Sequence, residues 1–237
     1  MTQTYRLYYA PDNASLIIRL ALEALAVPYE TVLVDRSAQG QKAPDYLAIN
    51  PNGLIPALAT PNGAIFETGA ILLWLADTHG ALAPAPDDPD RADFLKWLFF
   101  VSNTLHAALR MLFYPAQYVG PDPAAHHALR AQMNAEVARH FKTLNDVAGA
   151  GHPWFNGTIP SCLDYYVAAC LRWVALYPDQ AVRYDFDLSQ HQHLMAMLRR
   201  IENRPEARAV QTAEGLGPTP FTAPRAPTPT PKEGSAT

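Results

Sequence analysis

The chain has 237 residues, 49% of them hydrophobic and 17% charged, with a formal net charge of −4. That apolar share excludes a wholly disordered chain, and the acidic balance argues against a nucleic-acid binder, which carries a basic excess on one face. The longest apolar runs, 70–76 and 165–171, fall well short of the roughly eighteen residues a membrane helix needs.

The first eighty residues alternate strand and helix signals. Tyr5 to Tyr9 is an aromatic-rich strand, and residues 14–26 place Leu16, Ile17, Leu20, Ala21 and Ala24 on one helical face. Thr31 to Asp35 is short and β-branched, a second strand that a crossover helix would set parallel to the first. A loop at Asn50-Pro51-Asn52-Gly53 precedes Pro56 and the run Ala57 to Thr60, and Pro61-Asn62-Gly63 separates that run from Ala64-Ile65-Phe66, its Asn-Gly a hairpin signal. Thr68 to Thr78 closes the half as a helix with Ile71, Leu72, Leu75 and Ala76 inward. The order β-α-β, then β-β-α, is the thioredoxin-like pattern, assigned to residues 1–80.

Residues 81–89 form a proline-rich linker without periodicity. Beyond it, over 90–214, the pattern is helical throughout. Phe94, Leu98, Val101, Leu105, Leu109 and Leu112 form one apolar stripe. Leu129, Met133, Val137, Phe141 and Leu144 form a second, and Leu163, Tyr166, Val167, Cys170, Leu171 and Val174 a third. Ser161 and Asp164 mark the start of the third helix, and a last helix covers about 190–203 with Leu194, Leu198 and Ile201. Cys162 and Cys170 lie eight positions apart on one helix, about 12 Å, too far for a disulfide, and read as small core residues. The opening Met1-Thr2-Gln3-Thr4-Tyr5-Arg6 shows no signal-peptide pattern, so a cytoplasmic protein is expected. Residues 215–237 hold six of the 22 prolines and only Leu216 and Phe221 as large apolar side chains. This Pro/Thr-rich tail is expected to be extended or disordered unless it docks, and dispensable from Gly217 onward.

The run from Asn50 to Leu58, followed by Phe66-Glu67-Thr68-Gly69-Ala70-Ile71 and Trp74-Leu75-Ala76-Asp77, resembles the glutathione-binding signature of cytosolic glutathione transferases. The likeness continues through Leu105-His106, Phe113-Tyr114-Pro115, Thr158-Ile159-Pro160 and Leu171-Arg172-Trp173, and within the family it most resembles the bacterial beta class. It implies a detoxifying transferase with glutathione as co-substrate and no metal, a small hydrophobic electrophile as second substrate, and a homodimer. It also implies a cis Ile55-Pro56 peptide, with the Ile55 main chain pairing strand-like to the cysteinyl part of glutathione. Glu67 and Thr68, where a strand meets a helix start, would hold the γ-glutamyl group, and His106 matches a histidine lining that site. Phe99 stands where the class often has asparagine, implying a greasier electrophile pocket.

One departure bears on the chemistry. Pro11-Asp12-Asn13-Ala14 places Ala14 at the position of the class cysteine, so thiol exchange through a mixed disulfide has no residue to carry it. The helix N-terminus remains as a way to lower the thiol pKa. Ser15 and Asn13 are candidate thiolate donors, set against plain helix capping, and Tyr8 is a third, set against core packing. His126, His127, His191 and His193 have no metal-ligand company and read as solvated helix faces. Two alternatives stay open: a glutathione-dependent isomerase or dehalogenase, and a non-catalytic glutathione-binding protein.

Overall fold

The computed structural model describes residues 4–178 and 186–228. β1 (Tyr5–Tyr9) leads through α1 (Ser15–Ala24) to β2 (Tyr29–Leu33), which pairs parallel to β1. α2 (Pro44–Leu47), the hairpin β3 (Ala57–Thr60) and β4 (Gly63–Phe66), and α3 (Thr68–His79) follow. The sheet runs β2-β1-β3-β4, with β3 antiparallel to both neighbours, a thioredoxin-like arrangement. β2 begins two residues earlier than its β-branched centre indicated, because Tyr29 already pairs with Tyr5. The hairpin turns at Pro61-Asn62, and Gly63, expected within the turn, already pairs with Thr60; the Thr60 hydroxyl donates to the Gly63 carbonyl at 2.8 Å while accepting from the Asn62 amide.

α1 is buried on every side rather than along one stripe. Ile18 and Leu22 are as enclosed as Leu16, Ile17 and Leu20, because α1 packs on the sheet, on α3 and on the helical half at once. A helix apolar all round needs such a central place.

In the second half, α4 (Arg91–Phe100) runs through one wide π turn, Val101–Leu105, into α5 (His106–Phe113). α6 (Ala116–Val119), α7 (Pro123–Ala148) and α8 (Cys162–Leu176) follow. The stripe from Phe94 to Leu112 is fully enclosed, and of the α7 stripe Val137, Phe141 and Leu144 are buried while Leu129 and Met133 are only half covered. α8 is the axis of the bundle, buried from Cys162 to Val174. Its start is a reciprocal cap: the Ser161 hydroxyl accepts from the Leu163 amide, and Asp164 accepts from the Ser161 amide at 2.7 Å. Both cysteines are free and buried, and burial pushes the Cys162 thiol up to about 12, so neither carries thiolate chemistry.

α9 (Gln192–Glu202) is followed by a further helix, α10 (Pro205–Glu214), which the apolar pattern did not mark. Its inward face is thin and partly charged: Glu206, Ala207, Val210 and Glu214. Pro205 in the first turn starts it and Gly215, at φ 65°, ends it.

Residues 215–228 dock, the exception that the expectation of an extended tail allowed for. This segment folds back over α8 and α9. Leu216 and Phe221 are each 1% exposed and belong to the main core. The Glu202 carboxylate accepts from the Phe221 and Thr222 amides and from the Thr222 hydroxyl, and the Thr228 amide closes onto the Gly215 carbonyl at 2.9 Å. A Cβ at Gly215 would meet the Thr228 carbonyl oxygen at 1.9 Å. Proline density alone is therefore a poor guide here, since two aromatic or aliphatic anchors and a carboxylate clamp suffice to seat the chain. The expectation for residues 229–237 falls outside the described residues.

Candidate functional site

A cleft of about 170 Å³ opens between the two halves. One wall is the loop from Asn50 to Pro56. The Asn50 amide and the Tyr46 hydroxyl both donate to the Leu54 carbonyl, at 2.7 and 2.6 Å, which sets the course of the chain into Ile55. The Ile55–Pro56 peptide is cis. The next wall is the β4–α3 junction, where Glu67 has φ 72°, a left-handed conformation that costs a non-glycine residue of order 1–3 kcal/mol and concentrates at functional sites. The turn exposes the Glu67 side chain to the cleft while Thr68 starts α3. Gly69 allows the close approach behind it: a Cβ there would lie 3.2 Å from the Ser102 hydroxyl.

The helical wall comes from the π turn, α5 and α8. Ser102, His106 and Arg110 follow one another at intervals of four and face the cleft, joined by Tyr166. His106 is 8% exposed. Its Nδ1 lies 2.8 Å from the Tyr166 hydroxyl, and its buried Nε2 has no partner among the described residues. The Trp173 ring lies beside it, 5.4 Å between centres. Burial, with a smaller contribution from Arg110, pushes the His106 pKa down to about 3, so the ring is neutral near pH 7. Burial likewise pushes the Tyr166 phenol well above its ordinary value.

The fourth wall is the turn that opens α1, and here the three candidate thiolate donors go elsewhere. Ala14 lines the cleft; Ser15, Asn13 and Tyr8 are not among its lining residues. The Ser15 hydroxyl is fully buried, donating to the Ala10 carbonyl and accepting from the Ala10 amide at 3.1 and 3.3 Å. The Asn13 side chain accepts from the Ala14 amide at 2.7 Å. Tyr8 is half-buried on the far face of the sheet, edge-on to Tyr46. Phe99 is 48% exposed and lines, with Gly69, Leu73 and Trp74, a groove that shares Glu67 and Ser102 with the cleft.

Ser102, Arg110 and Tyr166 escaped sequence reasoning. The interval of four from Ser102 through His106 to Arg110 is a polar stripe that a search for helical polar faces would have found. Tyr166 sits inside an apolar stripe and carries no such signal. Among the described residues no group of three or more His, Cys, Asp or Glu side chains could hold a metal ion, and His126 instead bonds the Gly120 carbonyl at 2.6 Å.

Comparisons with known proteins agree with this architecture. The model of the glutathione S-transferase N-terminal domain matches residues 3–77. A glutathione S-transferase of Xanthomonas campestris pv. campestris is 30% identical over 216 residues, covering 89% of this chain and 99% of its own. Among solved structures, a sphingomonad glutathione S-transferase complexed with glutathione is 30% identical, with a TM-score of 0.73 over 90% of this chain and all of its own (100%). A bacterial beta-class enzyme from Sphingomonas chungbukensis is 29% identical, with a TM-score of 0.72 over 90% of this chain and 100% of its own. The chain belongs to the glutathione S-transferase family.

Proposed function

We propose that the protein conjugates reduced glutathione to a small apolar electrophile. The observation that supports this is convergence: Ile55, Pro56, Glu67 and Thr68 from one half and His106 and Tyr166 from the other face a single cleft that ends at Ala14. In this reading the cysteinyl backbone of glutathione pairs with the main chain of Ile55. The γ-glutamyl carboxylate takes the Thr68 end of α3, and its ammonium takes the Glu67 carboxylate. The sulfur then lies towards Ala14 and His106.

No side chain at position 14 can activate that sulfur, so the task falls to the N-terminus of α1 and to His106. In this reading the Tyr166 hydroxyl donates to His106 Nδ1, 2.8 Å away. The remaining ring proton is then on Nε2, the nitrogen left for the ligand. A neutral donor and a helix dipole stabilise a thiolate below the free thiol pKa of about 8.5. The sulfur lone pair forms the new C–S bond, and the leaving group departs with its bonding pair, or an activated alkene takes up a proton from water. Holding both reactants together supplies much of the gain. We further propose a homodimer joined across the groove that contains Phe99 and Trp74, and a cytoplasmic setting that suits two free cysteines. No helix among the described residues is long and apolar enough to cross a membrane.

The test is calorimetry with reduced glutathione, the ultraviolet absorbance of its bound thiolate, and turnover with activated aryl halides, enones and haloalkanes. Conjugates confirm the reading. Isomerised product, or halide release without a stable conjugate, selects the isomerase or dehalogenase. Binding without turnover of any electrophile selects the non-catalytic binder, which Ala14 and the inward Ser15 favour. Absence of binding refutes the site.

A further inference from the structure

On the side of the α1 turn that faces away from the cleft lies a buried charge cluster that glutathione would not touch. Asp12 is fully enclosed, with φ 53°, a conformation that a non-glycine residue keeps only when its surroundings over-determine it. Its carboxylate receives a bidentate grip from Arg172, whose Nε and Nη2 lie 2.8 and 3.0 Å from the two oxygens. Trp173 Nε1 at 3.2 Å and the Tyr177 hydroxyl at 2.8 Å complete its shell. The Asp12 amide donates to Glu214 at 2.9 Å, and Glu214 in turn faces Arg19 at 3.3 Å. Arg172 itself is 0% exposed. Its other donors are taken by the folded-back segment: Nη1 by the Pro220 carbonyl at 2.8 Å and Nη2 by the Arg225 carbonyl at 2.9 Å.

Each feature bears on the same short turn. A buried ion pair is weak evidence for stability, since well-packed apolar residues usually serve as well; its surer contribution is to fix one geometry. The planar guanidinium suits that purpose, because its fork fixes both oxygens of Asp12 at once. The segment 215–228 contributes main-chain acceptors, so its fold rather than its side chains satisfies the arginine. Two residues beyond Asp12, Ala14 lines the cleft.

We propose that Asp12 and Arg172, roofed by residues 215–228, are positioning residues that hold the Asn13–Ala14 turn so that the N-terminus of α1 faces the glutathione sulfur. This rests on the reading that glutathione is ionised there. The pair touches no reactant and acts through the turn. Its loss shifts thiol ionisation and turnover, while recognition by Ile55, Glu67 and Thr68 stays intact.

The experiment compares full-length wild type, Arg172→Lys and Glu202→Ala. Arg172→Lys keeps the charge but loses the fork; Glu202→Ala releases the clamp on Phe221 and Thr222, far from the cleft. Measured are the apparent pKa of bound glutathione from thiolate absorbance, and kcat and KM with chlorodinitrobenzene. For Arg172→Lys the pKa should rise by about one unit and kcat fall by about tenfold, with KM for glutathione within about twofold. Glu202→Ala should move both readouts the same way, the pKa by about half a unit and kcat by about threefold. An unchanged thiol pKa and kcat in folded Arg172→Lys would overturn the proposal, as would a loss in which KM and kcat worsen together in step with stability. If Arg172→Lys does not fold, Glu202→Ala decides by the same readouts. A wild-type protein that binds no glutathione by calorimetry would instead overturn the functional reading, and this inference with it.

Discussion

The wall of the cleft that would recognise glutathione and the turn that would activate it differ in how far along the chain their supports lie. Ile55 to Thr68 is one hairpin with its two flanking turns, and the bonds that shape the approach to it, from Asn50 and Tyr46 to Leu54, span only four and eight residues. The turn at Asp12 is held by Arg172 and Glu214, 160 and 202 residues away. The first wall is thus shaped within the first half, whereas the Asp12 turn is held by the whole fold, down to a segment at its far end. Changes in the helical half should therefore alter turnover before they alter binding of glutathione, and stability before either.

The largest expected effect lies at that far end. A chain ending at Leu216 loses the burial of Phe221, worth about 3–5 kcal/mol for a large aromatic, and leaves two donors of a buried arginine without acceptors. At about 2–4 °C per kcal/mol for a chain of this size, the melting temperature should drop by about 10 °C or more. Calorimetric melting checks this. A shift of only a degree or two would restore the reading of the segment as a loose tail and break the comparison at its far end.

On the other wall, Glu67→Ala should weaken glutathione binding by about 1.5–3 kcal/mol, the usual loss for a charge-assisted hydrogen bond, with the melting temperature little changed. Titration calorimetry would refute the placement of the γ-glutamyl group by showing equal affinity in the two proteins.

The same contrast decides what could be read before folding. Ile55-Pro56 and Glu67-Thr68 were legible through the family resemblance, whose motif is contiguous because one stretch of chain builds their wall. The order of strands and the apolar stripes of α4, α5 and α8 were legible from the residues themselves, because each element too is one stretch of chain. Ser15 and Asn13 were correctly placed at the helix start, yet sequence position does not say which way a side chain turns, and the Ser15 hydroxyl turns inward to Ala10. α10 and the folded-back segment were missed because their anchors are few: Val210, Leu216 and Phe221, with charged residues such as Glu202 and Glu214 doing work that periodicity assigns to leucine.

His106 stands between the two walls, and its expected effects are intermediate. With its pKa pushed from 6.5 down to about 3 by burial, the folded protein refuses a proton that the unfolded chain accepts. The resulting stability is fully present above pH 6.5 and is lost as pH falls towards 3. His106→Asn should flatten that acid slope in urea melts taken from pH 7 to pH 4, and should lower kcat by about tenfold if Nε2 donates to the thiolate. Between pH 5 and 8 the rate should follow a single ionisation, that of the thiol. A second, histidine-like ionisation in that interval would mean that His106 is solvated and charged in the working enzyme.

The smallest effect is expected at Ser15, where sequence and structure part most clearly. Ser15→Ala deletes two hydrogen bonds to Ala10, so stability should fall by about 1 kcal/mol, the ordinary net worth of such bonds. The thiol pKa and kcat should stay within about twofold of wild type, because the hydroxyl points away from the cleft and Ala14 occupies the surface in front of it. Tyr8→Phe should behave alike, since that ring packs against Tyr46 on the far face of the sheet. The pairing is informative because another serine, Ser102, does line the cleft. Ser102→Ala removes a hydroxyl from the cleft wall and should change the rate by more than Ser15→Ala does. If instead Ser15→Ala raises the apparent thiol pKa by a full unit while Ser102→Ala is silent, the hydroxyl must rotate towards the ligand when glutathione binds. Activation would then be as local as recognition, and the division between the two walls would disappear.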